Sequence, residues 1–323
     1  MYHLHSYLTD SEFQAAYNGS DYNEPWASYT IEEEEVNYNK TEQHDYSLDY
    51  LTFRVTSNGV IAWRAYSGCT KTIEYSINGG AWTSITSSSP AATISVSSGD
   101  VVRFRGTNSA YGSNRTTYAG FDSASTATFN MEGNVMSLVS GDNFSGTTTL
   151  SGSWNFYALF KGTKVVSAEN LVLPATGLTE YCYRAMFSFC TSLTKAPKLP
   201  ALTLAKGCYW YMFESCAISK APDLMAAALV NECYGNMFVN CSRLNYIKCM
   251  ATTNLSAASG LTGWVSGVSA TGTFVKEENT AWASGNSGIP TNWYVVNETR
   301  SLGAAVPSPS PAPDNDPGGD DTP

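Results

Sequence analysis

The sequence predicts a multidomain protein in which an antiparallel β-sandwich is followed by an α/β solenoid of repeats. Apolar and polar residues alternate between about 46 and 137, and one motif recurs at intervals of about 25 residues between 138 and 298. Neither pattern continues into the two ends of the chain. We therefore expect a docking arm at 1–45, a sandwich at 46–137, repeats with a C-terminal cap at 138–298 and a disordered Pro/Asp-rich tail at 299–323.

The composition excludes several classes of partner. The 323 residues carry a formal net charge of −10 with only 18 Lys and Arg, so neither nucleic acid nor an anionic membrane is an expected partner. No apolar run reaches the roughly 18 residues that a membrane-spanning helix needs. The first residues, "MYHLHSYLTDSEF", lack the features of a secretory signal. Because the surface is rich in Ser, Thr, Asn and Tyr, we expect a protein made in the cytoplasm that works outside a cell.

The predicted arm contains one short helix and an acidic segment. Thr9 and Glu12 have capping-box spacing, and Gly19 can end the helix. The acidic run Glu32 to Glu35 follows, in a stretch too short to bury a core of its own. Two interpretations stay open, namely that the arm docks on another protein or that it lies on the neighbouring sandwich.

The alternating segment has the pattern of short antiparallel strands. Leu51, Phe53 and Val55 alternate with polar residues, and Asn78-Gly79 is a pair that suits a tight hairpin turn. Several such strands separated by turns predict a sandwich that is immunoglobulin-like in broad class.

The repeats contain three similar blocks, "YCYRAMFSFC" from 181, "GCYWYMFESC" from 207 and "ECYGNMFVNC" from 232. Within the first block Cys182, Met186 and Cys190 are four residues apart, which places them on one face of a helix. A short strand is expected around Leu193 and its equivalents in the later copies. Stacking of such units predicts two buried columns of side chains. One column consists of Met186, Met212 and Met237, and the other of Phe187, Phe213 and Phe238.

The cysteines favour packing over chemistry. Seven of the eight lie in the repeats, no C-x-x-C pair occurs, and no His follows His44, so a mixed Cys/His zinc site is not expected there. Cysteines eight apart on a helix are too distant for a disulfide, whereas bridges between equivalent cysteines of stacked repeats stay open. We predict buried thiols, no metal, no cofactor and no catalytic residue.

The blocks resemble the BspA-type, or Treponema-type, leucine-rich repeats of bacterial surface proteins. The matching positions are Cys182-Tyr183, Met186-Phe187, Cys190, Ser192-Leu193, Ala196-Pro197 and Leu199-Pro200-Ala201. Over a shorter stretch, the segment "EPWASYT…VNYNK" resembles the leaders of proteins from tailed phages of gut bacteria. The resemblance implies a leucine-rich-repeat solenoid and an exposed, non-enzymatic binding protein, and it carries over no catalytic residue.

Function is therefore predicted as an appendage on a virion surface, either a fibre or a decoration of the head or tail. The arm would bind other virion proteins, and the repeats would bind a glycan or protein of the host surface or of mucus. Homo-oligomerisation is left open, and membrane insertion is not expected. The alternatives are a bacterial cell-surface adhesin and, less favoured, a glycan-processing enzyme, since all three His lie in the arm.

The predicted binding face consists of variable positions between the packing columns. Aromatic rings among amides and charges suit a surface that binds sugar or protein. One alternative is that Trp210 only packs on the neighbouring repeat, and another is that the loop from Tyr111 to Tyr118 binds the ligand. The residues of the predicted face are Arg184, Trp210, Tyr211, Glu214, Asn236 and Arg243.

Overall fold

This computed structural model describes residues 44–256 and 260–299. The predicted helix at 9–19 lies outside these residues, as does nearly all of the predicted arm and tail. Among the described residues, no helix has the length and apolar character needed to cross a membrane.

Strands dominate the described residues. The only α-helix there is α1 (Ser137–Ser140), and two 3-10 turns cover Tyr46–Leu48 and Gly141–Asn143. The strands are β1 (Leu51–Val55), β2 (Gly59–Tyr66), β3 (Thr72–Ile77), β4 (Thr83–Thr86), β5 (Ala92–Val96), β6 (Val101–Arg105), β7 (Tyr118–Phe121), β8 (Phe129–Asn134), β9 (Val165–Val172), β10 (Tyr246–Cys249), β11 (Thr273–Glu277) and β12 (Tyr294–Glu298).

These strands form three sheets. The first has six strands in the order β4-β3-β6-β1-β8-β9, antiparallel except for the parallel pair β8–β9. The second is antiparallel with the order β5-β2-β7, and the third is parallel with the order β10-β11-β12. Because β9 belongs to the repeats, the six-stranded sheet joins the segment 46–137 to the segment 138–298.

Aromatic side chains fill the space between the first two sheets. The ring of Phe53 lies 4.7 Å from Phe104, 5.0 Å from Phe121 and 4.3 Å from Phe129, measured between centroids. A degenerate first copy of the repeat, "NFYALFKGTKVVSAENLVLPA" from 155, precedes the three blocks, and its Phe160 is stacked on Phe121 at 5.8 Å. The first repeat therefore supplies part of the core that the two sheets share.

The predicted α/β leucine-rich-repeat solenoid is wrong. The three Cys-Met-Cys blocks contain no α-helix and consist of consecutive turns. No sheet of the described chain runs through all the repeats: β9 belongs to the first sheet and β10 to the third. Between them the copies are joined by isolated bridges such as Ser167 to Lys195 and Lys220 to Tyr246. The fold is a set of β-sheets combined with stacked turns.

Backbone hydrogen bonding explains why these blocks are not helices. In an α-helix every N–H binds the carbonyl four residues before it. In the first block alternate N–H groups, from Tyr181 to Phe189, instead donate to carbonyls of the next copy at 2.8–3.0 Å. The groups between them, from Cys182 to Cys190, donate to the carbonyl three residues before at 3.0–3.3 Å. The block is thus a series of consecutive turns, which we call a ladder of turns. Its side chains point in the same direction every four residues, much as they do on one face of a helix.

The turns still bury the predicted side chains. The Met and Phe columns are fully buried, as predicted, and the rings of Phe187, Phe213 and Phe238 stack at 5.7–5.9 Å between centroids. A second column of buried rings has centroids 5.7–6.1 Å apart and consists of Phe156, Tyr183, Tyr209 and Tyr234. A four-residue period therefore gives one apolar face whether the backbone is helical or a series of turns.

The repeat cysteines pack in the core, which confirms that prediction. The Cys216 thiol donates to the carbonyl of Phe187 at 3.1 Å, and the Cys241 thiol donates to that of Phe213 at 2.9 Å. Burial raises the pKa of the Cys190 thiol to about 11 and that of the Cys182 thiol to about 12, so both stay protonated near neutral pH. All eight cysteines are free in the structure.

Candidate binding surface

One face of the molecule carries a row of aromatic side chains outside the main core. We call this row the aromatic strip; it consists of Tyr66, Tyr118, Trp154, Tyr157, Tyr181, Trp210 and Tyr211. Tyr118 and Tyr157 form a small cluster, separate from the main core, against which Tyr66, Trp154 and Tyr211 pack. Because Tyr66 ends β2 and Tyr118 begins β7, the strip starts at the sheet β5-β2-β7. From there it runs across the first three copies of the repeat.

Ring contacts join the first five members of the strip. Tyr66 stacks on Tyr118 with centroids 4.2 Å apart, and Tyr118 meets Tyr157 edge to face at 5.0 Å. Trp154 contacts Tyr157 at 5.1 Å and stacks on Tyr181 at 4.5 Å. Such contacts hold each ring in a defined orientation.

Arg184 joins the remaining members. Its guanidinium carbon Cζ lies 3.8 Å from the centroid of Trp210, 5.6 Å from that of Tyr181 and 5.8 Å from that of Tyr211. Trp210 and Tyr211 stack on each other at 5.7 Å. Cation–π attraction therefore binds this end of the strip together, while Arg184 itself is only 6% exposed.

Two glycines make room for the rings. A Cβ atom on Gly207 would lie 2.4 Å from the ring of Tyr181, and one on Gly235 would lie 3.2 Å from the ring of Trp210. Gly207 and Gly235 occupy, in the next copy, the positions of Tyr181 and Trp210. Each ring therefore leans over a glycine of the following copy, so Trp210 does pack on the neighbouring repeat.

The loop considered as an alternative binding site adjoins the strip. The Tyr157 hydroxyl donates to the main-chain carbonyl of Arg115 at 3.1 Å, and Tyr118 at the end of the loop is a member of the strip. Tyr111 is different, because it is fully buried and its hydroxyl donates to the carbonyl of Leu138 at 2.7 Å. The two surfaces that the sequence left as alternatives are thus neighbours.

The structure brings three of the six predicted face residues together. Arg184, Trp210 and Tyr211 are in mutual contact as described above. Glu214 accepts a hydrogen bond from the Ser188 hydroxyl at 2.8 Å, one turn further along the same block. Asn236 is half-buried at the position equivalent to Tyr211 in the next copy, and Arg243 is exposed beyond the end of its block.

Of the other members of the strip, only Tyr118 was considered from the sequence, as the end of the alternative binding loop. Trp154 and Tyr157 lie in the degenerate first copy, at the positions that Tyr181 and Arg184 occupy in the second. Alignment of that first copy with the later blocks was therefore a signal that could have found them. Tyr66 and Tyr118 come from the sheet, and no repeat pattern marks them.

The hydroxyl groups at the sheet end of the strip stay protonated near neutral pH. Burial raises the pKa of Tyr118 to about 12, and burial together with the neighbouring Asp122 carboxylate raises that of Tyr66. The Tyr66 hydroxyl donates to Asp122 at 2.8 Å, and Asp122 is also paired with Arg64 at 3.3 Å. These hydroxyls can therefore serve as neutral hydrogen-bonding groups beside the rings.

Comparisons with known proteins add no family to this description. No protein-family model matches the chain, and no similar curated protein or solved structure is found. The arguments for function therefore depend on the geometry of the chain and on its sequence.

A groove of about 610 Å³ lies elsewhere on the repeats. Its lining includes Lys195, Lys198, Lys220 and Met225 but no aromatic side chain. Lys195 is paired with Glu169 at 2.8 Å. The groove lacks rings on which a sugar could stack, and the aromatic strip is the stronger candidate for a binding surface.

Proposed function

We propose that this protein is a non-catalytic attachment protein whose aromatic strip binds glycans. The observation that carries the proposal is the row of half-buried rings at Trp154, Tyr181, Trp210 and Tyr211. The exposed part of a half-buried ring offers apolar area for the C–H face of a sugar, and nearby polar groups can orient the sugar hydroxyls.

Contacts within the protein hold the rings of the strip in place. Trp210 is fixed between Arg184 and Gly235, and Tyr181 is fixed between Trp154 and Gly207. Side chains that are immobile in the free protein lose little conformational entropy on binding. Pre-organisation of this kind supports a binding role for the rings in addition to their packing role.

The carboxylates beside the strip are held by neighbouring groups. Asp122 is paired with Arg64, Glu214 accepts from Ser188, and Glu232 lies 3.4 Å from the Tyr181 hydroxyl. Each of these carboxylates therefore has a partner within the protein.

The place of action rests on the sequence resemblance. We propose an exposed location on a virion, with residues 1–45 bound to other virion proteins, and a bacterial cell surface is the alternative. The host-side ligand would be a glycan of the cell surface or of mucus.

The double variant Trp210→Ala, Tyr211→Ala tests the proposed function. Loss of two stacking rings, each worth about 1 kcal/mol, should weaken glycan binding on the order of 30-fold. Binding is measured on a printed glycan array and on host cells, and circular dichroism checks the fold.

Tyr294→Ala is the matched control, because Tyr294 is 72% exposed on β12 and lies outside the strip. This control should bind as the wild type does. A folded double variant that binds with undiminished affinity would exclude the strip as the binding surface.

A further inference from the structure

Three charged residues of the described chain are buried, and they differ in their partners. Asp122 is paired with Arg64, and Glu132 is paired with Arg54 at 2.6 Å. Arg184 forms no ion pair with any carboxylate of the described residues. A buried charge without a counter-ion is costly, so this exception requires an explanation.

Aromatic rings contact the Arg184 guanidinium, and the charge of Glu232, which forms no ion pair with Arg184, acts on it from a greater distance. The rings of Trp210, Tyr181 and Tyr211 lie against the guanidinium, and their π-faces compensate part of its lost hydration. Burial lowers the pKa of Arg184, and the positive charge of Arg115 acts in the same direction. Arg184 therefore places a positive charge in the strip, and Arg115 lies close enough for its charge to act on Arg184, in a protein whose overall charge is negative.

Tyr157 connects the first copy of the repeat to the loop that carries Arg115. Its hydroxyl donates to the main-chain carbonyl of Arg115 at 3.1 Å. Burial raises the pKa of Tyr157, and the charges of Arg184 and Arg115 oppose that rise, which indicates that both lie near the hydroxyl. The loop at 111–118 and the first two copies of the repeat thus converge on one position.

An oxyanion at this position would supply a counter-charge in direct contact with the guanidinium. A guanidinium presents its N–H groups in a planar fork that matches the two oxygens of a carboxylate. The rings beside it would contact the sugar that carries this carboxylate.

We propose that Arg184 and Arg115 bind the carboxylate of an acidic sugar, so that the aromatic strip selects anionic over neutral glycans. This proposal rests on the proposed function and specifies the chemical class of its ligand.

The test is a printed array that carries each acidic glycan beside its carboxyl-reduced form, together with sulfated glycans that lack a carboxylate. Wild-type protein should bind the acidic form and lose on the order of tenfold in affinity for the reduced form, because charge-assisted hydrogen bonds are lost. Arg115→Gln should reduce this preference, and the preference should also weaken as salt is added.

Arg103→Gln is the matched control, since Arg103 is exposed on β6 and lies outside the strip. It removes the same charge and should leave the preference unchanged. Arg184→Met keeps an apolar stem against Trp210 and should abolish the preference. If that variant does not fold, the preference of the Arg115→Gln variant tests the proposal, because Arg115 is exposed.

The outcomes separate the two proposals. Equal binding of acidic and reduced glycans that still requires Trp210 and Tyr211 would overturn the selectivity while the glycan-binding function stands. Binding of sulfated glycans alone would also overturn the carboxylate assignment. Absence of binding to any glycan would contradict both proposals.

Discussion

The absence of a side chain at Gly207 allows the Tyr181 ring to take its place in the strip. The residue has a φ of 58°, a left-handed conformation that glycine adopts without strain, and the Tyr181 ring occupies the space where a Cβ would be. In the preceding copy Tyr181 itself has a φ of 57° at the equivalent position. Left-handed backbone is thus tolerated by other residues in these turns, whereas the close approach of the ring at 207 requires glycine.

Gly207→Ala should destabilise the protein by more than left-handed strain alone. A left-handed alanine costs roughly 1–2 kcal/mol, and displacement of the Tyr181 ring should add about 1–3 kcal/mol. Chemical denaturation of Gly152→Ala gives the strain by itself, because Gly152 has a φ of 77° and nothing lies within 4 Å of its missing Cβ.

A double-mutant cycle checks the cause of the difference. In a Tyr181→Ala background, the cost of Gly207→Ala should fall to that of Gly152→Ala. Equal costs for Gly207→Ala with and without the Tyr181 ring would show that the ring does not depend on this glycine.

At the scale of the element, the ladder of turns explains both the success and the error of the sequence prediction. The four-residue spacing of Cys182, Met186 and Cys190 correctly gave the buried face, because helix and turn ladder share that period here. It could not give the backbone conformation, since hydrogen bonds to the next copy replace those of a helix. Glycine or asparagine at left-handed positions marks some of the turns in the sequence, but the block from 181 has Tyr181, Ala185 and Phe189 at those positions. The marked positions are Gly162, Gly207, Asn236, Asn240, Gly263 and Gly267.

The buried Phe column is the element whose loss should be most costly. Phe213 is fully buried between Phe187 and Phe238, so Phe213→Ala should lower the free energy of unfolding by about 3–5 kcal/mol. Phe189→Ala is the control, because Phe189 belongs to the same repeats and is 47% exposed.

Urea denaturation measures both variants. The control should change the free energy of unfolding by less than about 1 kcal/mol. Similar values for the two phenylalanines would mean that the column is not the main source of cohesion between the copies.

At the scale of the whole molecule, the strip links parts that the sequence treats as separate. Period-two alternation predicted the strands, and the repeat period predicted the stacked copies. Neither pattern could predict that β9 pairs with β8, or that Tyr118 of the sheet contacts Tyr157 of the first copy. Pairing and packing between distant segments depend on the folded arrangement, so the sequence could not show that the loop ending at Tyr118 and the repeats form one surface.

Fluorine NMR of protein labelled with 5-fluorotryptophan tests the central claim most directly. Trp154 and Trp210 lie in the strip, whereas Trp63 and Trp264 are fully buried in the core and serve as internal controls. Single Trp→Phe variants assign the resonances, and the probe is the acidic glycan that the array shows to bind most tightly. The account predicts that the resonances of Trp154 and Trp210 shift on titration while those of Trp63 and Trp264 do not. Saturating glycan that leaves both strip resonances unchanged would contradict it.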